Sequence, residues 1–216
     1  MFVLEGNIGA GKSTLLRKLQ AKYPEISVFQ EPVDEWIAYK NDNDQSIFQL
    51  FYEDPKRYAF AFQMFVMLTR LKKVNEDDHL QDLSRTSVYE RSIMTDKNVF
   101  MDSLKKDNTV TDIEYKVFND WFDYLSPKLE DIQGIIYLRV EPNECYNRIQ
   151  KRNRTSENNI SIEYLTTIHD RHETWLSEKK NTECVVVDGN DDADLQKIYE
   201  FITKTTSLRC HNIWTS

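Results

Sequence analysis

A glycine-rich stretch near the start of the chain has the residue types and spacing of a phosphate-binding loop. Glycines stand at its first and sixth positions, and Lys12 and Ser13 follow directly. In loops of this kind backbone amides surround phosphate oxygens, the lysine reaches the outer phosphates and the serine hydroxyl binds Mg²⁺. The residues that we expect to contact a nucleoside triphosphate here are Gly6, Asn7, Ile8, Gly9, Ala10, Gly11, Lys12, Ser13 and Thr14.

The flanking sequence supplies the elements that such a loop needs. The apolar run 1–5 predicts a buried strand, and residues 14–19 predict the first turns of a helix with one apolar face. A strand, a glycine loop and a helix N-terminus together make an anion site. Three of the five glycines in the chain fall in this loop, which argues against an ordinary turn.

Charged side chains follow two further predicted strands. Glu31 comes after the strand 26–29, and the pair Glu90 and Arg91 comes after the strand 86–89. Ligands of open α/β sheets lie at the carboxyl ends of strands, so these groups should face the phosphate loop. Glu90 is then a candidate Mg²⁺ ligand beside Ser13, and Arg91 could contact a transferring phosphoryl group. A helix-capping role for Glu31 and a plain surface pair for Glu90 and Arg91 are the alternatives.

The predicted helix after Asp54 and Pro55 is apolar nearly all round, so we expect it to be buried. Gln63 and Arg70 interrupt it seven residues apart, which places them on one face. Buried polar groups need partners. A ligand base and a hydrogen-bond network in the core both remain open as those partners.

A basic cluster stands on an otherwise acidic protein. The formal net charge is -8 and the pI about 5.1, which argues against nucleic-acid binding. Arg148 and Arg152 lie four residues apart on a helix that Pro142 opens, and Arg154 follows. Beside a phosphate loop this cluster predicts a lid that clamps phosphates, although a solvated basic turn is the ordinary reading.

The order of elements predicts the fold class. Strands at 134–140 and 184–187 and helices opened by Thr111, Pro142 and Ser161 continue the alternation of strand and helix. We expect an α/β protein of the P-loop NTPase kind, with a parallel five-stranded sheet, helices on both faces and an arginine-rich lid. Residues 1–216 should form a single domain, with the lid at about 148–160.

Composition narrows the cellular setting. The three cysteines have no metal-binding spacing and fit free thiols in a reducing compartment. His169 and His172 lie three residues apart, which is not the spacing of a zinc helix. No run approaches the ~20 apolar residues of a membrane span. Because the first predicted strand begins at Met1, we expect no targeting peptide, unless one has been removed. We therefore expect a cytoplasmic protein without membrane or nucleic-acid partners.

The residues after strand two indicate the phosphate acceptor. A phosphate acceptor would need cations, whereas Glu31, Asp34 and Glu35 would repel it. A hydroxyl acceptor must lose a proton, which a carboxylate can take. Trp36 and the aromatic helix with Gln63 suit a flat heteroaromatic ring. The sequence thus predicts phosphoryl transfer to the hydroxyl of a nucleoside-like acceptor.

The chain resembles the deoxynucleoside kinase family, which includes deoxycytidine, deoxyguanosine and mitochondrial thymidine kinases and the insect multisubstrate enzyme. The resemblance extends from Gly6 to Asp192. The residues that carry it are Gly6 to Thr14, Glu31-Pro32-Val33 with Trp36, Tyr52-Glu53, Phe62-Gln63, Glu90-Arg91-Ser92, Arg148 to Arg154 with Glu157, and the loop from Asp188.

The resemblance implies roles on the acceptor side. Glu31 would take the proton of the sugar 5′-hydroxyl, Arg91 would lie at the 5′-oxygen and the transferring phosphoryl, and Gln63 would make two hydrogen bonds to the base. The other acceptor contacts that it implies are Trp36 and Phe62 around the base and Tyr52 and Glu157 at the sugar 3′-hydroxyl.

On the donor side the resemblance implies ATP with Mg²⁺, the metal being held by Ser13 and Glu90. Lys12 and the lid would hold the phosphates, and the loop 188–192 would read the adenine. The further donor contacts are Arg152 and Arg154 at the phosphates, Arg148 near the base, and Asp188, Asn190 and Asp191 in the loop. Family members are usually dimers through a helix pair, which suits the aromatic helix after Thr111.

Base preference follows from two positions. Arg70 and Asp96 fall where deoxycytidine and deoxyguanosine kinases carry an Arg–Asp pair that thymidine-accepting members lack. We therefore expect deoxycytidine or purine deoxynucleosides to be preferred, a broad or thymidine-preferring enzyme being the alternative. Val66 and the pair Lys97-Asn98 depart from common family residues near this pocket. A nucleoside monophosphate kinase and a nucleotide-binding protein without turnover are the remaining alternatives.

Overall fold

The computed structural model describes residues 1–76, 86–126, 132–154, 157, 159–179, 182–189 and 194–213. Within them lie five strands: β1 (Phe2–Glu5), β2 (Ile26–Phe29), β3 (Thr86–Glu90), β4 (Gly134–Arg139) and β5 (Glu183–Asp188). They form one sheet in the order β2-β3-β1-β4-β5, in which every neighbouring pair is parallel. The predicted α/β fold with a parallel sheet is confirmed.

Helices occupy most of the remaining described residues. A π-helical segment, Asp96–Met101, joins two short α-helices, Ile93–Thr95 and Asp102–Lys106. The α-helices are α1 (Lys12–Lys22), α2 (Val33–Ala38), α3 (Ile47–Glu53), α4 (Pro55–Asn75), α5 (Ile93–Thr95), α6 (Asp102–Lys106), α7 (Asp112–Leu125), α8 (Pro142–Arg152), α9 (Ile162–Glu178) and α10 (Leu195–Ile213).

Local signals set the predicted helix starts. The Asp54 carboxylate accepts the Arg57 amide at 3.3 Å at the start of α4. Thr111 and Glu114 form the expected capping box of α7, and the Ser161 hydroxyl caps α9. These interactions satisfy backbone amides that the first helical turn leaves unpaired, so each start can be read from a few adjacent residues.

Apolar side chains cover the sheet on both faces. Along β1, Phe2 and Leu4 point into a core cluster that also contains Leu16 of α1 and Ile198 of α10. Val3, between them, points into the cluster beneath α4. This alternation is the period-two geometry of a strand buried on both sides.

Several features of the structure are not among the sequence predictions. The helices α2 and α3 and the helical region 93–106 were not predicted. The helix α10 continues to Ile213. The strand β5 lies at the sheet edge, where Val186 is exposed. In the described part of the chain no helix combines the length and apolar character needed to cross a bilayer.

Candidate active site

The phosphate loop lies where the sequence predicted it, between β1 and α1. Gly9 has a φ of 78°, in the left-handed region that favours glycine. A Cβ added there would lie 2.5 Å from the Cys145 carbonyl oxygen of α8. The loop is therefore packed directly against α8, with no room for a side chain at this position.

Lys12 and Ser13 converge on one carboxylate. Lys12 Nζ donates to the Asn7 carbonyl oxygen at 2.9 Å and lies 3.8 Å from Glu90 Oε1. Ser13 Oγ donates to Glu90 Oε2 at 2.9 Å. Burial, and secondarily the charge of Arg91, lowers the pKa of Lys12 to about 8. An ammonium group next to oxygen atoms that can bind a metal is the arrangement that a nucleoside triphosphate with Mg²⁺ needs.

Glu31 lies at the centre of a buried ion-pair network. Arg91 Nη1 lies 2.8 Å from both Glu31 oxygens, and Arg70 Nη2 donates to Glu31 Oε1. Burial alone would raise the pKa of the Glu31 carboxyl, but the two guanidinium groups and Lys12 lower it well below its usual range. Glu31 is therefore a carboxylate at neutral pH, in the proton-accepting form, and is of low basicity.

Arg70 joins Glu31 to a second acid. Its Nε donates to Asp96 Oδ1 and Oδ2 at 3.1 and 3.0 Å, and its Nη1 donates to the Glu90 carbonyl oxygen at 3.1 Å. Burial raises the pKa of Asp96 to about 6, against the opposing charge of Arg70. The sequence left open whether Arg70 serves the core or a ligand, and the structure places it in an ion-pair network at the cavity wall.

Arg91 adopts a strained backbone conformation. Its φ is 61°, which is uncommon for a residue with a side chain. Its amide donates to the Leu4 carbonyl oxygen at 2.9 Å, and its Nη2 donates to the Gly6 carbonyl oxygen at 3.1 Å. Its Nε is buried and has no hydrogen-bond partner among the described residues. These bonds fix the guanidinium group between Glu31 and the phosphate loop.

An aromatic wall adjoins the ion pairs. The Phe62 ring stacks on Phe51 with centroids 4.7 Å apart and meets Trp36 edge-on at 5.7 Å. Trp36 Nε1 donates to the Thr69 hydroxyl at 2.9 Å, which fixes the indole ring. Gln63 lies beside this wall, and its buried Oε1 has no hydrogen-bond partner within the described residues. A buried, unpaired amide oxygen at a cavity is a group that a polar ligand can satisfy.

The predicted lid contributes three arginines in two arrangements. Arg152 and Arg154 both donate to Glu157, the latter at 2.9 Å to Oε1. Arg148 instead donates to the Ala10 carbonyl oxygen at 2.9 Å and to the Gly189 carbonyl oxygen at 2.8 Å. Arg148 thus ties the phosphate loop to the end of β5 and is not at the cavity surface.

These groups surround a cavity of about 400 Å³, large enough for a small-molecule ligand. All nine predicted acceptor-binding residues and both predicted metal ligands line it. The acceptor set is Glu31, Trp36, Tyr52, Phe62, Gln63, Arg70, Arg91, Asp96 and Glu157. The predicted donor residues that line it are Ile8, Gly9, Gly11, Lys12, Ser13, Thr14, Arg152 and Arg154.

The other predicted donor residues lie elsewhere. The backbones of Gly6, Asn7 and Ala10 brace the loop through the bonds to Arg91, Lys12 and Arg148. Asp188 ends β5 and does not line the cavity. Asn190 and Asp191 lie outside the described residues.

Six cavity residues were missed by the sequence reasoning: Phe48, Phe51, Phe100, Tyr164, Arg17 and Gln30. The first two lie on α3, whose Ser46 cap and helical spacing of aromatic residues could have indicated them. Tyr164 lies in the first turn of α9, three residues after its Ser161 cap. Phe100 lies on the π-helical segment and carried no local signal.

No group of three or more metal-ligating side chains occurs in the described part of the chain, and His169 and His172 are buried without a metal-like cluster. This is compatible with Mg²⁺, which is usually held by one or two protein oxygens together with phosphates and water. Ser13 and Glu90 offer that kind of oxygen pair.

Comparisons with known proteins agree on one family. The model of the deoxynucleoside kinase family matches residues 2–208. Chicken deoxycytidine kinase 2 is 33% identical, the match covering 90% of this chain and 84% of the relative. A probable deoxycytidine kinase of fowlpox virus is 34% identical over 93% and 87%. Mitochondrial deoxyguanosine kinase of Xenopus laevis is 32% identical over 83% and 74%. The chain therefore belongs to the deoxynucleoside kinase family.

Proposed function

We propose that this protein transfers the γ-phosphate of ATP to the 5′-hydroxyl of a deoxynucleoside, and that residues 1–216 form one kinase domain with a lid at about 148–160. The carrying observation is the cavity that places the Glu31 carboxylate between the phosphate loop and an aromatic compartment. A phosphate donor and a flat base can then be held on either side of one acid.

The proposed step is a direct transfer. The 5′-oxygen attacks the γ-phosphorus, a new O–P bond forms, and the bond from the γ-phosphorus to the β,γ-bridging oxygen breaks to release ADP. The hydroxyl proton passes to Glu31, which is ionised at neutral pH. Because two arginines keep this carboxylate weakly basic, the proton should move late, when the attacking oxygen has become acidic. Arg91 and Lys12 would stabilise the charge on the transferring group.

Mg²⁺ would be held by the Ser13 hydroxyl and the Glu90 carboxylate, where it would neutralise charge on the donor phosphates. Both oxygens face the phosphate loop, and the second carboxylate, Glu31, is already occupied by arginines. This division leaves one acid for the metal and one for the acceptor proton.

We propose deoxycytidine or a purine deoxynucleoside as the preferred acceptor. Asp96 and Arg70 present an ionic pair at the cavity wall, and Gln63 offers an amide with one unpaired oxygen. Polar base edges can pair with such groups, whereas the thymine methyl group cannot. A panel of four deoxynucleosides with ATP tests this preference: deoxycytidine or a purine deoxynucleoside should have the highest kcat/KM, and fastest turnover of thymidine would contradict it.

Two further measurements separate the alternatives. A nucleoside monophosphate kinase would prefer deoxycytidine monophosphate to deoxycytidine as acceptor, which the acidic end of β2 disfavours. A nucleotide-binding protein without transfer would show no ATP consumption that depends on added nucleoside. We expect the opposite result in both assays.

We further propose a homodimer that forms through α7 and the adjoining surface of α4. Ile113, Val117, Trp121 and Tyr124 form an exposed apolar row on α7, and Leu68 is exposed on α4. An exposed apolar row on a helix face is typical of an interaction site. Size-exclusion chromatography with light scattering should give twice the chain mass, and Trp121→Glu should give a monomer. A cytoplasmic location also remains a prediction.

A further inference from the structure

Two buried polar side chains face each other beneath the phosphate loop. Glu5, the last residue of β1, and His172 of α9 both have no solvent exposure. Glu5 Oε1 accepts hydrogen bonds from Thr95 Oγ1 at 2.6 Å and Ser92 Oγ at 3.3 Å. Glu5 Oε2 lies 3.9 Å from His172 Nε2, and neither atom has a hydrogen-bond partner among the described residues. Two such atoms side by side are uncommon in a folded protein.

The bonding of the other ring nitrogen decides what His172 Nε2 can do. His172 Nδ1 lies 2.8 Å from the Ile168 carbonyl oxygen, which can only accept a hydrogen bond. Nδ1 therefore carries the proton, and in a neutral ring Nε2 is left as an acceptor. An ionised Glu5 would then set a second acceptor against it. A proton on Oε2 removes this conflict.

Burial favours the same assignment. It raises the pKa of Glu5 to about 7, with Thr95 and the nearby cations opposing it, and it lowers the pKa of His172 to about 3. Of the two facing atoms, Glu5 Oε2 and His172 Nε2, it is therefore Glu5 Oε2 that carries a proton. The titratable and charged groups around the pair are Lys12, Arg70 and Arg91 toward the cavity, Tyr137 and His169 beside His172, and Lys179 with Cys184, whose pKa values respond to Glu5.

The buried ion-pair network is balanced without Glu5. Three cations face three carboxylates in it, and among the described residues the only basic side chain within salt-bridge distance of Glu5 is His172, whose ring is neutral. An ionised Glu5 would add an uncompensated negative charge directly before the loop that binds phosphate. The six balanced groups are Lys12, Arg70, Arg91, Glu31, Glu90 and Asp96.

We propose that Glu5 and His172 are a positioning pair in which Glu5 is protonated up to about neutral pH and directs its proton toward His172 Nε2. At 3.9 Å the two atoms are not yet hydrogen-bonded, and a small approach of the side chains would form the bond. This contact would link β1 to α9, while Glu5 Oε1 holds the Ser92 and Thr95 hydroxyls of the turn that follows Arg91. The pair keeps negative charge away from the donor phosphates. Only this last consequence rests on the proposed function.

The tautomer of His172 tests the assignment directly. In protein labelled with ¹⁵N-histidine, two-bond ¹H–¹⁵N correlation spectra distinguish a ring protonated at Nδ1, at Nε2 or at both. The signal that disappears in His172→Phe belongs to His172. We expect Nδ1–H with unprotonated Nε2 near neutral pH. An imidazolium ring or an Nε2–H tautomer would overturn the proposal, and neither result depends on catalysis.

A neutral isostere tests the consequence for ATP. Glu5→Gln retains an oxygen for Thr95 and supplies an N–H for His172, so it should bind ATP as the wild type does near pH 6. Between about pH 6 and pH 8 the wild-type dissociation constant for ATP should rise about tenfold relative to that of Glu5→Gln, following the protonated fraction of a group with a pKa of about 7. Lys12 titrates in both proteins, and an ionised Glu5 raises the pKa of Lys12, so this coupling would reduce the expected difference rather than produce it.

The pH dependence of the stability tests the protonation of Glu5 independently of ATP binding. Between pH 4.5, the ordinary pKa of Glu5, and about pH 7, the native state holds a proton that the unfolded state has lost. Stability from this group is therefore lost as the pH rises to about 7. As the pH rises over this range, the Tm of Glu5→Gln should increase relative to the Tm of the wild type. The control Glu178→Gln, at an exposed position of α9, should show the same pH dependence of Tm as the wild type. Parallel profiles for Glu5→Gln and the wild type would contradict the proposal.

Discussion

The two halves of the cavity are built differently. On the acceptor side the side chains of Glu31, Arg70 and Arg91 are each 10% exposed or less and bond to one another. On the donor side the lid arginines Arg152 and Arg154 are 41% and 34% exposed and share the buried Glu157. The acceptor side is a buried ionic network, and the donor lid is a partly solvated one.

The difference has an energetic meaning. Breaking a buried ion pair by removing one partner leaves an uncompensated charge and is strongly destabilising, whereas exposed pairs contribute about 0–1 kcal/mol. The acceptor network is therefore fixed by the fold itself. The lid arginines can exchange Glu157 for phosphate oxygens at low cost. We expect the site that selects the acceptor to be preformed. We expect the lid arginines to reach their final positions only when the donor phosphates bind.

The largest effect should follow from the acid at the centre of the acceptor side. Glu31→Gln removes the proton acceptor while preserving shape, so kcat should fall by about 10²–10⁴-fold. Nucleoside binding, measured by calorimetric titration, should persist. The control Glu35→Gln, at an exposed position four residues later, should retain activity. Near-normal kcat in Glu31→Gln would remove Glu31 from the proposed chemistry.

The next effect concerns the ion pair that we connect with base preference. Arg70→Met leaves Asp96 buried without its cation and should lower the free energy of unfolding by about 3–5 kcal/mol. The double variant Arg70→Met/Asp96→Ala should recover part of this loss, because no charge is left unpaired. Urea unfolding measures both. Strictly additive losses would show that the two residues do not act as a pair.

A moderate effect should separate two glycines of the phosphate loop. Both Gly9 and Gly11 have positive φ, but an added Cβ at Gly9 meets the Cys145 carbonyl oxygen at 2.5 Å, whereas at Gly11 the nearest atom is Arg148 Nη1 at 3.6 Å. Gly9→Ala should therefore weaken ATP binding more than Gly11→Ala, in addition to the backbone strain of about 1–3 kcal/mol common to both. Calorimetric ATP titrations provide the comparison, and equal losses would argue against a tightly packed loop.

The smallest effect should come from the lid. Arg152→Ala removes a partly exposed cation, so the KM for ATP should rise severalfold, equivalent to about 1 kcal/mol, while the KM for the nucleoside changes less. The rise should shrink at high salt. Lys151→Ala, at the exposed neighbouring position, is the matched control. A larger effect on the nucleoside than on ATP would place Arg152 on the acceptor side.

The fold class, the family and the kind of reaction were predictable because their signals are local. The residues of β2 were predicted without error, and the starts of α4, α7, α8 and α9 follow from caps or prolines within a few residues. The spacing of the phosphate loop requires no tertiary information. The roles given to individual site residues remain predictions.

The remaining features depend on contacts between distant segments. The π-helical segment that carries Asp96 is held by the Arg70 pair, 26 residues away in sequence. The division of α7 into a buried side with Phe118 and Phe122 and an exposed side with Trp121 appears only when the helix is packed. Glu5 reads as a polar strand end in the sequence, and its pairing with His172 spans most of the chain.

The most direct test is a structure of the protein with deoxycytidine and a non-hydrolysable ATP analogue with Mg²⁺. We predict the sugar 5′-oxygen within hydrogen-bond distance of a Glu31 carboxylate oxygen, about 2.6–3.2 Å, and on the side of the γ-phosphate held by Lys12. A 5′-oxygen directed at another acid, or a nucleoside bound outside the aromatic wall of Trp36 and Phe62, would contradict the account.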